Sequence, residues 1–312
     1  MLSLNDLAAV VKESPAKVRR ELLKGQQTKK ETQATLQGNH QSNSQAVPPA
    51  AVRQYLKGRK FKYPQQIVSV QMLKGGVAKT TTVLNMGLRA AMYGARVLFV
   101  DLDQQANLTF ALGVESEDLP VWVEIVEKKV TAFQAIQKIG YGIDIIPSNL
   151  NNSVLDRVLM NSNRNWAQAV SGPLAQIREN YDLILIDTAP ALSTINTAVA
   201  IASDLVVLPM SPDRFSWLGL KKHRQELEEI QKDFGAKFKT KILFTRFDGR
   251  EKSSHEILQD CIDSFADQMM QGYIRTSAEV KNTIGTERNI FQTNSPVKDD
   301  YDLITREILD FI

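Results

Sequence analysis

The sequence predicts a doubly wound α/β domain with a mostly parallel sheet, preceded by a small N-terminal helical segment of the kind that binds DNA. Three observations predict it. From Ile67 onward, β-branched runs alternate with helical patterns. The runs are apolar throughout rather than alternating, which marks strands covered by helices on both faces. The first run leads into a glycine-rich loop that opens directly into a helix, an arrangement suited to phosphate.

Candidate strands are Ile67–Met72, Arg96–Asp101, Ile143–Pro147, Leu183–Asp187, Leu205–Met210 and Lys241–Arg246. Helical patterns fall between them at Thr80–Tyr93, Trp166–Glu179 and Leu218–Phe234. Sheets of this type bind ligands at the carboxyl ends of their strands. This domain is assigned to residues 67–312.

Three shorter regions precede it. In residues 1–25, Leu4, Leu7, Ala8 and Val11 recur at helical spacing, with Ser3 or Asn5 as the cap. Pro15 suits the first position of a second helix, in which Val18, Leu22 and Leu23 oppose Lys17, Arg19, Arg20 and Lys24. Two short helices, a tight turn and a basic second helix fit a helix-turn-helix; a helical hairpin for dimerisation is the alternative. Residues 26–47 are polar, with almost nothing to bury, and read as a flexible linker. Residues 48–66 mix cations with aromatics and read as a basic connecting arm, suited to phosphate and base contacts or to strapping onto the body.

Charge separates along the chain. Residues 1–66 hold 12 Lys+Arg against 4 Asp+Glu, and the remaining 246 hold 26 against 31. A basic arm on a mildly acidic body suggests a polyanionic partner. The single cysteine, Cys261, excludes an intramolecular disulfide and a cysteine metal site, and fits a reducing cytosol. No apolar run approaches the roughly 18 residues of a membrane span.

The loop carries the chemistry. Lys74-Gly75-Gly76-Val77-Ala78-Lys79-Thr80-Thr81 combines glycines for close backbone approach, a helix opening at Lys79 and a lysine in reach of β- and γ-phosphates. The Thr80 hydroxyl suits Mg²⁺, and Thr81 suits the α-phosphate. The standard P-loop pattern fails twice, with Leu73 and Ala78 at its first and last glycine positions. Tyr181–Asp187 is an apolar strand ending in an acid, the Walker B pattern that holds Mg²⁺ through water.

The lysine-rich loop, Lys-Gly-Gly-x-x-Lys-Thr, resembles the deviant Walker ATPases of the ParA/MinD/Soj group, and the resemblance covers residues 67–312. It implies ATP and Mg²⁺ as cofactors, ATPase activity that is weak unless stimulated, and a homodimer formed on ATP. Lys74 would then cross the dimer interface to the partner's nucleotide, and Lys79 would bind phosphate in its own subunit. Val97–Thr109 resembles the family's second-strand segment, although Gln104-Gln105-Ala106 stands where Pro-Gln-Gly is usual. By that pattern Asp103 orients the attacking water, and Asp101 supports Mg²⁺ waters or the loop. Leu208–Leu220 resembles the segment leading to the dimer-face helix, and Ile242–Arg250 the strand framing adenine. Pro212, Asp213, Arg246, Phe247 and Asp248 are therefore the base- and ribose-side candidates.

The resemblance further implies a DNA partition ATPase, cytoplasmic and nucleoid-associated, that coats DNA non-specifically and is released by a ParB-like centromere-binding adaptor. Residues 1–25 would contact operator DNA. Tyr273–Lys281, Lys221, Lys222, Arg224, Arg250 and Lys252 are candidates for the non-specific contact. An ATPase positioning a non-DNA cargo would share the same motor. A MinD-like membrane ATPase would need a basic amphipathic C-terminal helix, whereas residues 299–312 are acidic. An iron–sulfur reductase would need paired cysteines. A small-molecule ligase would need a substrate motif, and none is visible.

Overall fold

The computed structural model describes residues 1–25, 46–161, 165–283 and 289–312. Its centre is a seven-stranded sheet. In chain order the strands are β3 (Gln66–Val70), β4 (Val97–Asp101), β5 (Gln137–Gly140), β6 (Ile143–Ile146), β7 (Leu183–Asp187), β8 (Leu205–Met210) and β9 (Lys239–Phe244). They lie side by side as β5-β6-β4-β7-β3-β8-β9. All neighbours pair parallel except β5, which runs antiparallel to β6 at one edge. β4, β7 and β8 are buried along their whole length, as apolar runs require when helices cover both faces.

The topology places the site. Chain order reverses around β3, which sits between β7 and β8 although 113 residues separate Val70 from Leu183 in number. A crevice opens at such a point above the strand ends. The loop after β3 fills it, and the ends of β7 and β8 flank it.

Helix Lys79–Met92 leaves that loop and lies on the sheet. At Gly87 the backbone comes so close that an added Cβ would stand 2.1 Å from Phe99 Cζ and 2.9 Å from Leu185 Cδ1. The outer side of this helix is covered by helix Val297–Ile308, whose Val297, Tyr301, Ile304 and Ile308 are buried. The apolar face of the last helix is thus buried against the body. Among the described residues no helix is long and apolar enough to cross a membrane.

The N-terminal segment is part of the same core. Helix Leu4–Val10 is capped by Ser3, whose hydroxyl accepts from Asp6 N at 3.0 Å, and a second helix starts at Pro15. Two expectations need correction here. The 26–47 linker ends earlier than expected, because Ala46–Val47 (β2) pairs antiparallel with Leu2–Ser3 (β1); residues 26–45 lie outside the described residues. The arm 48–66 is largely helix, Pro49–Gly58, with Pro49 in its first turn and Val52 and Leu56 fully buried. Two of its cations face protein, Arg53 donating to Asp182 and to the Gly94 carbonyl and Arg59 binding Glu13 and Glu21, while Lys57, Lys60 and Lys62 are exposed.

The helix expected over Trp166–Glu179 is also corrected. The chain there makes three short turns, Trp166–Gln168, Ser171–Ala175 and Arg178–Asn180. Gly172-Pro173 stands in the middle, and proline supplies no N–H to continue the ladder.

Arg89 ties these parts together. It is 5% exposed, pairs with Asp6 at 2.9 Å and Asp302 at 2.6 Å, and lies over the Tyr93 and Phe291 rings. Truncating it removes a buried guanidinium that joins two carboxylates and stacks on two rings, although Asp302 keeps Arg306 and the Tyr93 hydroxyl. Arg89→Ala is expected to lower stability by about 3 kcal/mol, read as a shift of the urea midpoint; a change under about 0.5 kcal/mol, the range of ordinary surface substitutions, would contradict the assignment.

Candidate active site

The phosphate loop is open where a ligand must approach. A Cβ added at Gly75 or Gly76 would meet nothing within 4 Å, and Gly76 sits at φ 77°. Ala78 adopts φ 69°, ψ 30° and gives helix Lys79–Met92 no side-chain cap. An alanine therefore occupies a left-handed position that favours glycine, and the first turn of a 14-residue helix is left free to face an anion. The loop is braced from beside it: Thr245, at the end of β9, donates its hydroxyl to the Val77 carbonyl at 3.2 Å and the Met210 carbonyl at 3.1 Å.

Beside the loop, parallel register sets Asp101 of β4 directly opposite Asp187 of β7. Both are fully buried. Their surroundings differ. Asp101 accepts from Asp103 N at 3.1 Å, Thr109 N at 3.0 Å and the Thr109 hydroxyl at 2.7 Å. Its hydrogen bonds go to the 103–109 loop, the second of the two roles expected for it. Neither oxygen of Asp187 has a hydrogen-bond partner among the described residues. Burial pushes the Asp187 carboxyl well up, the neighbouring Asp101 adds to this, and the Thr80 hydroxyl and Lys79 only partly offset it. Burial likewise raises Asp101 against the relief from its hydrogen bonds.

Lys79 is 7% exposed, and its Nζ has only a long contact, 3.5 Å, to the Lys74 carbonyl. Burial lowers its pKa while Asp187 and Asp103 work against that. Asp103, 8% exposed, accepts from Gln105 N at 2.9 Å. The turn ends at Ala106, again left-handed at φ 53°.

This donor set fits a nucleotide carrying Mg²⁺. A buried carboxylate without partners, a desolvated ammonium, a nearby threonine hydroxyl and an open amide-rich loop are each incomplete alone. Among the described residues no group of three or more His, Cys, Asp or Glu is placed to hold a metal by itself. That suits a cation taking one protein carboxylate and completing its shell with phosphate and water.

Lys74 stands on the other side of the loop. Its Nζ meets Asp213 Oδ1 at 2.6 Å. Asp213 caps helix Arg214–Phe234, accepting from Ser216 N at 2.9 Å and from the hydroxyls of Ser211 and Ser216, each at 2.8 Å. Partial burial would raise its pKa, but Lys74 and these donors outweigh that and hold it far below the usual carboxylate range. Both Asp213 oxygens are thus engaged within the chain, one of them by a lysine 139 residues away in sequence.

The other base-side candidates are mixed. Asp248 is taken up by Arg250, with Nε at 2.9 Å and Nη2 at 2.6 Å. The Phe247 ring packs on His255 and Tyr273. Arg246 is exposed at φ 56°, and Pro212 lies in the turn before Asp213. Most expected DNA cations are engaged within the chain. Arg275 is bidentate to Asp300, Arg224 binds Glu228, Lys252 binds Glu256, and Lys221 lies over Trp217.

The central phosphate loop, the strand-end acid of β7 and the mostly parallel sheet define a P-loop nucleotide-binding protein. Comparison with known proteins makes this specific. Residues 65–241 match the AAA domain family model. A virulence plasmid ParA family protein of Chlamydia psittaci is 31% identical over 243 residues, 75% of this chain and 91% of that one. A chromosome partitioning protein ParA of Caulobacter vibrioides is 26% identical over 70% of this chain and 83% of its own. Among solved structures, an ATP complex of McdA from Cyanothece superposes with a TM-score of 0.73 at 23% identity, covering 80% of this chain and 97% of that one. Cobyrinic acid a,c-diamide synthase of Mycobacterium smegmatis, with an ATP analogue and magnesium, gives 0.66 at 25% identity over 78% and 95%. The chain belongs to the ParA-type Walker ATPases.

The two left-handed alanines carry a testable cost. A non-glycine residue in this conformation is penalised by roughly 1–2 kcal/mol, against the entropy that glycine adds to the unfolded chain. Ala106→Gly, away from the phosphate loop, should raise stability by about 0.5–1 kcal/mol in urea titration. A loss of stability would show that the methyl group is wanted there.

Proposed function

We propose that the chain is an ATP-dependent DNA partition ATPase. It binds ATP and Mg²⁺, dimerises on ATP, holds DNA non-specifically and is switched off when a ParB-like centromere-binding adaptor stimulates its slow hydrolysis. The observation that carries this reading is the place of Lys74. It sits on the phosphate loop but points to Asp213 at the start of a helix, rather than to the Lys79 side of the site. On that helix Phe215 is 80% and Leu218 63% exposed, an apolar surface suited to a second copy of the chain.

The roles follow from position. Lys79 and the amides of Gly75, Gly76, Val77 and Ala78 hold the phosphates, and Thr81 reaches the α-phosphate. Thr80 and Asp187 hold the cation, which supplies neutralisation of phosphate charge. Asp103 orients the attacking water, and Asp101 fixes the loop on which Asp103 stands. Lys74 leaves Asp213 to reach the partner's nucleotide, so ATP binding and dimerisation become one event. Phosphoryl transfer needs such positioning more than a strong base.

For DNA, the support comes from the N-terminal segment. Arg20 and Lys24 on helix Pro15–Gly25, and Lys57, Lys60 and Lys62 beyond helix Pro49–Gly58's midpoint, are exposed and have no carboxylate partner among the described residues. Operator contact is assigned to residues 1–25 on the same ground. The names of the ParA relatives point to partition.

Size-exclusion with light scattering, with and without ATP·Mg²⁺, tests the motor. Wild type and Asp103→Ala should be dimeric with ATP, Lys74→Ala monomeric, and Asp103→Ala should turn over about 100-fold more slowly or worse. Brisk turnover by Asp103→Ala removes that residue from its role. Duplex binding at low salt, where phosphate contacts are strongest, tests the partner: the ATP-bound protein should retain arbitrary DNA, and failure to do so sinks the partition reading.

A further inference from the structure

Three residues outside the nucleotide site, each with a buried polar atom that lacks a partner among the described residues, line one crevice. Asn196, 6% exposed, lies in helix Thr194–Ala202, just past the loop that follows Asp187. Its Nδ2 donates to the Ala189 carbonyl at 3.0 Å and the Ala191 carbonyl at 2.7 Å, which fixes the orientation of the amide and turns Oδ1 away from the loop. That oxygen has no partner among the described residues. On helix Arg214–Phe234, one turn apart, His223 Nδ1 and Glu226 Oε2 are also buried and without partners among the described residues. His223 is 4% exposed, and burial, with Lys79 nearby, lowers its pKa to about 4, so the ring is neutral at ordinary pH.

All three residues line a single small void between the two helices, together with Gln71, Ser193 and Thr197. Its volume is about 10 Å³, room for the centre of one water molecule. The chemistry matches one water as well. A water donates twice and accepts; Asn196 Oδ1 and Glu226 Oε2 are acceptors, and neutral imidazole with its proton on Nδ1 is a donor.

We infer that this crevice holds one ordered water that ties the loop after Asp187 to helix Arg214–Phe234, making Asn196 and His223 positioning residues for the ATPase. The helix is then gripped at two places. Its first residue is capped by Asp213, which holds Lys74. Its third turn is joined through the water to Asn196, and through Asn196 to the carbonyls of Ala189 and Ala191. A shift of the Asp187 loop is passed to the helix that carries the Lys74 partner. This coupling rests on the function proposed above; the water site does not.

Two measurements test it. A crystal structure of the full chain should show one water hydrogen-bonded to Asn196 Oδ1, His223 Nδ1 and Glu226 Oε2. An empty crevice, or direct bonds among the three side chains, overturns the site. In solution, His223→Leu should lower kcat and the ATP-dependent dimer fraction about tenfold, with His223→Gln restoring most of the loss because it keeps a donor. Unchanged kcat and dimerisation in His223→Leu overturn the coupling. A wild type that neither binds ATP nor dimerises would refute the proposed function instead, and the crystallographic water would still decide the site.

Discussion

Two adjacent parallel strands end on aspartates in register, and the rest of the site depends on how that repulsion is managed. Asp101 and Asp187 cannot both be charged, buried and alone. Asp101 accepts from three donors in residues 103–109, whereas among the described residues neither oxygen of Asp187 has a hydrogen-bond partner. One acid is thereby satisfied within the chain, and the other is the one the proposed function gives to the cation. Lys79, with only a long contact to the Lys74 carbonyl, starts the helix beside these acids and is drawn by Asp187 and Asp103. Ligand charge is what this arrangement lacks, so nucleotide binding completes an electrostatic balance that the protein alone leaves unfinished.

The opposite flank of the loop is managed differently. Lys74 is not left waiting; it is held by an aspartate that already caps a long helix and carries two serine hydroxyls. Moving Lys74 elsewhere removes one donor from a cap that keeps three others. The helix therefore need not unravel if Lys74 leaves for a partner's nucleotide as the proposed function has it, and such an exchange would be reversible.

The core of this architecture was legible in the sequence. Leu183–Asp187 and Leu205–Met210 are strands to the residue, because unbroken apolar runs ending in Asp or Pro-Met have no competing helical period. The phosphate loop was legible through its glycines and lysines although two glycine positions hold other residues. What was not legible depended on distant partners. The antiparallel edge strand Gln137–Gly140 alternates half-buried and exposed, with Lys138 and two nearby glycines, and carries little strand signal. The cations of residues 48–66 looked like a nucleic-acid arm, yet Pro49, Val52 and Leu56 already spelled a short amphipathic helix. The hold of Asp213 on Lys74 was not legible because the two lie 139 residues apart in sequence. Asn196 and His223 escaped notice because an isolated Asn or His on a helix is usually unremarkable until both are seen to face the same void.

Arg89 has a consequence for how the molecule is made. It joins Asp6 to Asp302 across the helix that carries the phosphate-binding lysine. During synthesis the first of these contacts is available early, whereas the second must wait for residues 297–308. Until then the outer side of helix Lys79–Met92 is uncovered. Long-range closure of this kind is slow relative to local helix formation, so the Asp6 contact can form before the Asp302 contact does. A growing chain thus gains its N-terminal segment's hold on the helix before the outer cover of that helix is in place.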